Sequence, residues 1–165
     1  MFALAPVFVF FAVMAAATCE EVPQSTVSMQ VISPAEMDNL LKQHPNGQLL
    51  SVEVSNNPKL GKVLSQANHQ LIYRLGSRIV GDQLVASDNG FERWAAPRNA
   101  HLNLYYPTSG VGAIISQLEI TVNQTSTVGR ALLLSGGIGQ RSISVVVEAA
   151  NTYWLGYSAV IYGHW

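Results

Sequence analysis

The residue types in this chain that could do chemistry are few, and their spacing favours structural roles. The four histidines, His44, His69, His101 and His164, stand singly, without the close pairing typical of a zinc site. No serine lies in the Gly-x-Ser-x-Gly turn that presents a nucleophile in hydrolases. Asp82 follows a glycine, and an aspartate in such a turn commonly accepts hydrogen bonds from nearby backbone amides. The sequence therefore predicts a protein that is not an enzyme and has no metal or cofactor.

The glycine-rich segment Gly136-Gly137-Ile138-Gly139 has backbone amides that could cradle an anion. No helical pattern follows it, and no lysine adjoins it as in a phosphate-binding loop. An apolar run over residues 131–134 precedes it, and the alternating residues Ile143, Val145 and Val147 follow it. The pattern therefore favours a β-hairpin in which the glycines take the positive φ angles of the corner.

Two surface features indicate modification or binding rather than catalysis. Asn123-Gln124-Thr125 is an N-glycosylation sequon, so Asn123 is a candidate glycosylation site. Aromatic residues are frequent in the second half of the chain, where some enter the core and the Tyr153-Trp154 loop could expose a contact patch. These aromatic residues are Tyr105, Tyr106, Tyr153, Trp154, Tyr157, Tyr162 and Trp165. We expect the partner to be an unknown protein or small ligand.

The composition argues against a nucleic-acid-binding surface. Of the 165 residues, 12% are charged, and the formal net charge at pH 7 is -1. Duplex binding needs clustered Lys and Arg that displace counterions, so we expect no direct nucleic acid binding. A chain of this length predicts one domain with appendages. Its single cysteine, Cys19, excludes an intramolecular disulfide, so packing alone must hold the fold.

Residues 1–19 have the pattern of a signal peptide. All but two of them are apolar, and small residues give two cleavage points, after Ala17 or after Cys19. No Lys or Arg precedes the apolar run, and a signal anchor is the competing interpretation because the run is nearly long enough to span a bilayer. The small residues and the following Glu20-Glu21 favour cleavage. We therefore expect a secreted, extracellular protein with no stable membrane span.

Residues 20–69 are predicted to form an N-terminal extension. Ser33-Pro34-Ala35-Glu36 is a capping box that predicts a short helix over residues 34–43, ended by Pro45-Asn46-Gly47. Residues 49–54 alternate in polarity and predict a strand. The pattern of residues 59–68 fits a second short helix or an irregular segment.

Residues 70–165 have the pattern of a β domain. Short runs of alternating polarity, separated by turn signals, predict six or seven strands in an antiparallel β-sandwich or barrel. Gly81-Asp82 predicts a type II′ hairpin, and Asp88-Asn89-Gly90 predicts a second turn followed by a loop over residues 91–99. Residues 151–156 predict the last loop. In the strand predicted over residues 114–123, Asn123 lies on the polar face and is therefore expected to face solvent.

Four motifs in this β domain resemble, in their order and spacing, the arthropod multiprotein bridging factor 2 family. The resemblance extends over about residues 70–165 and implies no catalytic or binding residue. Its motifs are Gly76-Ser77-Arg78-Ile79-Val80-Gly81-Asp82-Gln83-Leu84-Val85, Tyr106-Pro107, Gly136-Gly137-Ile138-Gly139-Gln140 and Val160-Ile161-Tyr162-Gly163. The positions that we expect to mark turns of the fold are Gly76, Gly81, Asp82, Pro107, Gly136, Gly137, Gly139 and Gly163.

The resemblance implies two different functions. The family's name comes from a transcriptional coactivator said to bridge a DNA-bound regulator and the general transcription machinery, whereas many relatives carry signal peptides and are described as secreted or salivary proteins. The apolar leader and the lack of a basic nuclear-import cluster favour the second. We therefore expect a secreted, non-enzymatic β-sandwich protein that acts by protein or ligand binding, with the transcriptional coactivator as the alternative.

Overall fold

The computed structural model of the chain describes residues 26–31, 34–56 and 68–165. The proposed signal peptide with its cleavage site, the Ser33 cap and residues 59–67 lie outside the described residues. Within the described ranges the chain forms one helix and eight strands. In order they are β1 (Thr26–Val31), α1 (Pro34–Gln43), β2 (Gln48–Leu49), β3 (Ser51–Asn56), β4 (His69–Gly76), β5 (Gln83–Tyr106), β6 (Ile114–Gln124), β7 (Gly129–Gly136) and β8 (Ile143–His164).

Strand β8 is the centre of the sheet because it has partners on both edges. One edge pairs antiparallel with β5 over nearly the whole length of both strands. The other edge pairs with β7 over residues 143–149 and with β6 over residues 155–164. Outside these, β1 pairs with β5, β4 with β6, and β3 with β4. β8 thus joins three groups of strands, β1–β5, β2–β7 and β3–β4–β6, that would otherwise form separate small sheets.

The sheet curls into a nearly closed barrel because β2 and β3 pair with opposite sides of it. β2 pairs with β7, whereas β3, which begins only two residues after β2 ends, pairs with β4. Leu50 lies between them, donates its backbone N–H to the Ala131 carbonyl (3.0 Å) and buries its side chain. The strands β7, β8, β6 and β4 and the β2–β3 segment therefore follow one another around a ring. Such closure satisfies backbone groups that an open sheet edge would leave unpaired.

The core lies inside this curved sheet, and its composition confirms the alternation predicted for β6 and β8. The inward-facing residues of these two strands are buried: Leu118, Ile120, Val122, Ile143, Val145 and Val147. Leu132 of β7 and Val146 of β8 lie opposite each other on the other face and are buried as well. The predicted hairpin around residues 136–139 is also confirmed, since β7 and β8 pair antiparallel on its two sides.

Two predicted loops are wrong, because residues 91–99 lie inside β5 and residues 151–156 lie inside β8. The turn signals mark irregular pairing instead of chain reversal. Four residues of β5 between Arg93 and Arg98 oppose a single residue of β8. Pro97, which has no N–H to donate to a ladder, lies in that unpaired stretch.

Two predicted turns are wrong for related reasons. Asp88-Asn89-Gly90 continues β5, paired with residues 157–159 of β8. Gly81-Asp82 does lie in a turn, with φ of 88° at the glycine, but the strands on either side of it do not pair with each other. β4 lies between β3 and β6, whereas β5 lies between β1 and β8. Local polarity cannot distinguish a hairpin from a connection that crosses to another part of the sheet.

The long strands β5 and β8 leave one end of the barrel and return to it. Gln83 at the start of β5 pairs with Gly163, and Tyr106 at its end pairs with Ile143. We call this end, which contains the connections 77–82, 107–113 and 137–142 and Trp165, the loop end. The middle of the β5–β8 ribbon, residues 91–99 and 151–154, lies at the opposite end and is called the elbow. At about 3.3 Å per residue, the elbow is roughly 30 Å from the loop end along β5.

We predict that Gly136→Ala destabilises the protein much more than Gly139→Ala. Both glycines have positive φ, 71° and 77°, so alanine is strained at either position. Only at Gly136 would the added methyl also collide with the backbone of Ser142, whereas nothing lies within 4 Å of it at Gly139. We expect the free energy of unfolding to fall by about 3 kcal/mol for Gly136→Ala and by about 1 kcal/mol for Gly139→Ala. Urea denaturation measures both, and equal losses would contradict the close backbone approach at the corner.

Candidate functional site

At the loop end, Asp82 links the β4–β5 connection to strand β6. Its carboxylate accepts hydrogen bonds from the Ser116 hydroxyl (2.6 Å), the Ile79 backbone amide (3.0 Å) and Nε of Arg78 (2.8 Å). The Asp82 side chain is only 1% exposed. Burial opposes its ionisation, but the hydrogen bonds from Ser116, Ile79 and Arg78 outweigh burial and lower the pKa of Asp82. This carboxylate therefore fixes the connection in place as an anion.

Arg78 ties the same connection to strand β8. Its guanidinium carbon lies 3.7 Å from the centroid of the Tyr162 ring, which is a cation–π contact. The neighbouring Ser77 donates its backbone N–H to the Ser116 carbonyl (3.2 Å). Residues 77–82 are therefore held by side-chain and backbone contacts to two different strands.

The other two connections of the loop end are joined to the start of β6. Gly139 donates its N–H to the Ile115 carbonyl (2.8 Å), and Ile115 donates its own N–H to the Gln140 carbonyl (2.9 Å). Arg141 donates from Nη1 to the Gly112 carbonyl (2.9 Å), which connects residues 137–142 to residues 107–113. The loop end is therefore a set of mutually bonded turns.

These fixed turns present apolar side chains to solvent. Val80 is fully exposed, and Val111 and Trp165 are 68% and 59% exposed. Exposed apolar residues gathered in one region of a protein surface are typical of an interaction site. We call this group the apolar tip; its members are Ile79, Val80, Leu84, Val111, Ile138 and Trp165.

The four histidines are not brought together. His44 follows α1, His69 begins β4, His101 lies in β5 and His164 ends β8. Burial lowers the pKa of His101 below that of a free histidine. Among the residues that the structure describes, no group of three or more His, Cys, Asp or Glu could hold a metal ion. No helix in the described ranges is long and apolar enough to cross a membrane.

Gly163 is the exception among the residues expected at turns. It lies inside β8, where its backbone is so close to the Ile114 carbonyl of β6 that a side chain would not fit, and its assignment to a turn is wrong. The other positions lie at strand ends or in the connections of the loop end: Gly76, Gly81, Asp82, Pro107, Gly136, Gly137 and Gly139.

The sequon lies at the end of β6, with Asn123 and Gln124 in the strand and Thr125 just after it. Asn123 lies in β6 with its side chain half-buried, and its Oδ1 accepts a hydrogen bond from Nε2 of Gln70 (3.4 Å). The Thr125 hydroxyl lies 3.0 Å from the Thr152 hydroxyl of β8, within hydrogen-bond distance. A glycan would be attached to Nδ2 of Asn123, and Oδ1 would still be able to accept the bond from Gln70. Glycosylation stays a prediction.

The aromatic residues of the second half do not form a single contact patch. Tyr106 and Trp154 are buried, whereas Tyr105, Tyr153 and Trp165 are exposed. Trp165 lies at the loop end, and Tyr153 lies at the elbow. The predicted Tyr153-Trp154 patch is therefore wrong as a pair, because adjacent residues of a strand point to opposite faces.

A family model described as transcription activator MBF2 matches residues 75–163. The match covers more than half of the chain, including the three connections of the loop end and the elbow. The chain belongs to the MBF2 family. The resemblance predicted from the four motifs is thereby confirmed. No curated protein and no solved structure matches the chain.

Membership of the MBF2 family contradicts the expected extracellular location. The family is described as a transcription activator, which indicates an intracellular, nuclear role. The expectation of secretion depended on the apolar leader, residues 1–19, which lies outside the described residues. Of the two functions that the resemblance implied, the family description supports the coactivator.

Sequence reasoning identified Asp82 as a turn residue but missed its partner and the apolar tip. Ser116 is 34 positions away from Asp82 in sequence. The sequence did contain one signal for Ser116. Ser116 lies between Ile114 and Leu118 on the face of β6 that was predicted to be apolar, so a polar side chain there is an exception. Ile79 and Val80 carried a second signal, because two large apolar residues inside a turn segment are unusual for a solvent-exposed connection.

We predict that Asp82→Asn lowers the melting temperature at pH 7 and that this loss shrinks in acid. The folded-state pKa of Asp82 is lowered, so its stabilising contribution is present above the unfolded-state pKa of about 4 and disappears as the pH falls through the folded-state value. Thermal unfolding of both proteins at pH 7 and at the lowest pH that keeps them folded measures this difference.

Glu53→Gln serves as the control for that experiment. Glu53 accepts a hydrogen bond from Nη1 of Arg74 (2.6 Å), but its side chain is largely exposed. Exposed ion pairs contribute little to stability, so we expect the control to unfold close to the parent at both pH values. A loss for Asp82→Asn that is no larger than the control's at pH 7 would contradict the role of Asp82 in fixing the loop end.

Proposed function

We propose that this MBF2 family protein is a transcriptional coactivator that bridges a DNA-bound regulator and the general transcription machinery through protein–protein contacts. The observation that carries the proposal is the match of residues 75–163 to a family described as a transcription activator. We propose further that it acts without catalysis, metal or cofactor. A bridging protein needs surfaces that bind other proteins, and the apolar tip is one such surface.

The apolar tip has properties that favour protein binding. Its side chains are already in solvent, so docking a partner there removes apolar surface from water without unfolding any part of the chain. The connections beneath it are fixed by the bonds of Asp82 and by the Ile115–Gln140 backbone bond. Fixed turns lose little conformational freedom on binding, which lowers the entropic cost of association.

The charge distribution supports contacts with a regulator rather than with DNA itself. The net charge is -1, and three arginines already contact carboxylates within the protein. These are Arg74, Arg78 and Arg130. DNA binding requires basic side chains that are clustered and available to phosphates. We therefore propose that the DNA-bound regulator, and not this chain, makes the contact to DNA.

Tethering tests the proposal directly. The full chain is fused to a heterologous DNA-binding domain in cultured cells, and transcription of a reporter with the matching binding sites is measured. We expect activation above the DNA-binding domain alone. We expect the triple variant Ile79→Ser/Val80→Ser/Val111→Ser to lose activation by about fivefold or more, because apolar anchors dominate the binding energy of many interfaces.

The matched control replaces three exposed apolar residues elsewhere, with Leu49→Ser/Val52→Ser/Val54→Ser. We expect this variant to activate like the parent. Equal loss in both variants at equal protein levels would exclude the apolar tip as the specific surface. No activation by the parent fusion, together with recovery of the untethered full-length chain only from the culture medium, would refute the coactivator function.

A further inference from the structure

The elbow carries two arginines that have no partner among the described residues. Arg93 and Arg98 are both exposed and lie on either side of the four residues of β5 that oppose a single residue of β8. The other four arginines of the chain are engaged: Arg74, Arg78 and Arg130 contact carboxylates, and Arg141 donates to a backbone carbonyl. The elbow is therefore where guanidinium groups remain available to a partner.

An exposed aromatic ring accompanies these charges. Phe91 is 60% exposed and stacks on the buried Trp154, with ring centroids 5.8 Å apart. Phe91 and Arg93 are two residues apart in a strand, so their side chains lie on the same face. Arginine and aromatic residues together are the side chains most enriched among the energetic anchors of protein interfaces.

Polar contacts bond the elbow to neighbouring segments of the sheet. The Asn99 side-chain oxygen accepts the backbone N–H of Asn151 (2.8 Å), which bonds the two strands at the irregular pairing. The Thr125 hydroxyl accepts the backbone N–H of Tyr153 (3.0 Å), which joins the elbow to the β6–β7 connection. Arg93 and Arg98 themselves pair with Trp154 and Thr152 of β8, so both arginines lie on backbone that is part of the sheet.

The nearest carboxylate in sequence does not neutralise this surface. Glu92 accepts a hydrogen bond from the indole N–H of Trp94 (3.2 Å) and forms no ion pair with a described residue. Glu92 and Arg93 are adjacent in the strand, so their side chains point to opposite faces. The face that carries Phe91 thus keeps a positive charge beside an apolar ring.

We propose that the elbow binds an acidic protein segment that also carries aliphatic or aromatic side chains. Carboxylates of the segment pair with Arg93 and Arg98, whose planar guanidinium groups bind carboxylates with two parallel hydrogen bonds. Apolar side chains of the segment pack on Phe91. The surface lies at the opposite end of the barrel from the apolar tip, so this inference goes beyond the proposed function and stands or falls independently of it.

Charge complementarity favours a protein segment over nucleic acid as the occupant. Two arginines without neighbouring lysines in the described elbow do not form the extended basic stripe that phosphate backbones require. The accompanying aromatic ring and the fixed backbone match the anchors of a protein interface. Tighter binding of nucleic acid than of an acidic peptide would overturn the proposal.

Fluorescence anisotropy with the full chain tests the inference. The probe is a fluorescein-labelled peptide in which Asp and Glu alternate with Leu and Phe. We expect saturable binding that weakens as salt is raised, and about tenfold weaker binding for Arg93→Glu and for Arg98→Glu. A second peptide has Asn and Gln in place of Asp and Glu. We expect it to bind the parent protein at least as weakly as the acidic peptide binds the Arg93→Glu variant.

Lys42→Glu is the matched control, because it changes the net charge by the same amount at an exposed position in the last turn of α1, outside the elbow residues 91–99 and 151–154. We expect Lys42→Glu to bind the acidic peptide like the parent. Circular dichroism melts verify that Arg93→Glu, Arg98→Glu and Lys42→Glu are folded. An affinity of Arg93→Gln between those of the parent and Arg93→Glu would support a charge effect. Equal weakening by Lys42→Glu, unchanged binding by both elbow variants, or tighter binding of a labelled DNA duplex than of the peptide would overturn the proposal.

Discussion

The requirement that strand β8 be hydrogen-bonded on both edges determines the positions of most other strands. A strand of 22 residues in a protein interior has backbone amides and carbonyls that must all find partners. β5 supplies them on one edge, and β7 and β6 divide the other edge between them. Since β7 and β6 occupy successive halves of the same edge, the sheet has to bend where one replaces the other. The barrel-like curvature and the elbow follow from that division.

Closure of the sheet depends on close approaches of backbone to backbone at the loop end. Gly112, Gly136 and Gly163 each lie so near a carbonyl of a neighbouring segment that a side chain there would collide with it. Glycine is the residue that permits such an approach. Two of the four motifs that resemble the MBF2 family contain one of these points, Gly136 and Gly163, so part of the motif pattern corresponds to the close backbone approaches of the barrel.

The same architecture places two different surfaces at opposite ends of one continuous sheet. Both are built on the β5–β8 ribbon, which begins and ends at the apolar tip and bends at the elbow. One surface is apolar and rests on bonded turns, and the other combines an aromatic ring with two arginines that have no ion-pair partner within residues 26–31, 34–56 and 68–165. Other charged residues pair within the protein. Glu148, for example, is buried and accepts a hydrogen bond from Nε of Arg130 (2.6 Å) on the adjacent strand. Two distinct surfaces at separate ends of the sheet are compatible with the bridging function that we propose.

The features that the sequence predicted correctly are those that depend on neighbouring residues. Alternating polarity correctly indicated the buried faces of β6 and β8, because side chains of a strand point to opposite faces at every second residue. The glycine corner before β8 was also readable, because positive φ angles restrict the residue type. Turn signals in β5 and β8 led to the wrong prediction of loops over residues 91–99 and 151–156. An asparagine or proline that interrupts strand pairing cannot be distinguished in the sequence from one at which the chain reverses.

The sequence by itself determined the β class, the faces of the main strands, the hairpin before β8 and the family, because these depend on neighbouring residues and on ordered motifs. Only the tertiary structure decided which strands pair, how the ring closes, that Ser116 meets Asp82, and that the apolar tip and the elbow face away from each other. Those features depend on contacts between residues far apart in the chain. Alternation of polar and apolar residues along a strand shows which face is buried, but it does not show which other strand pairs with it.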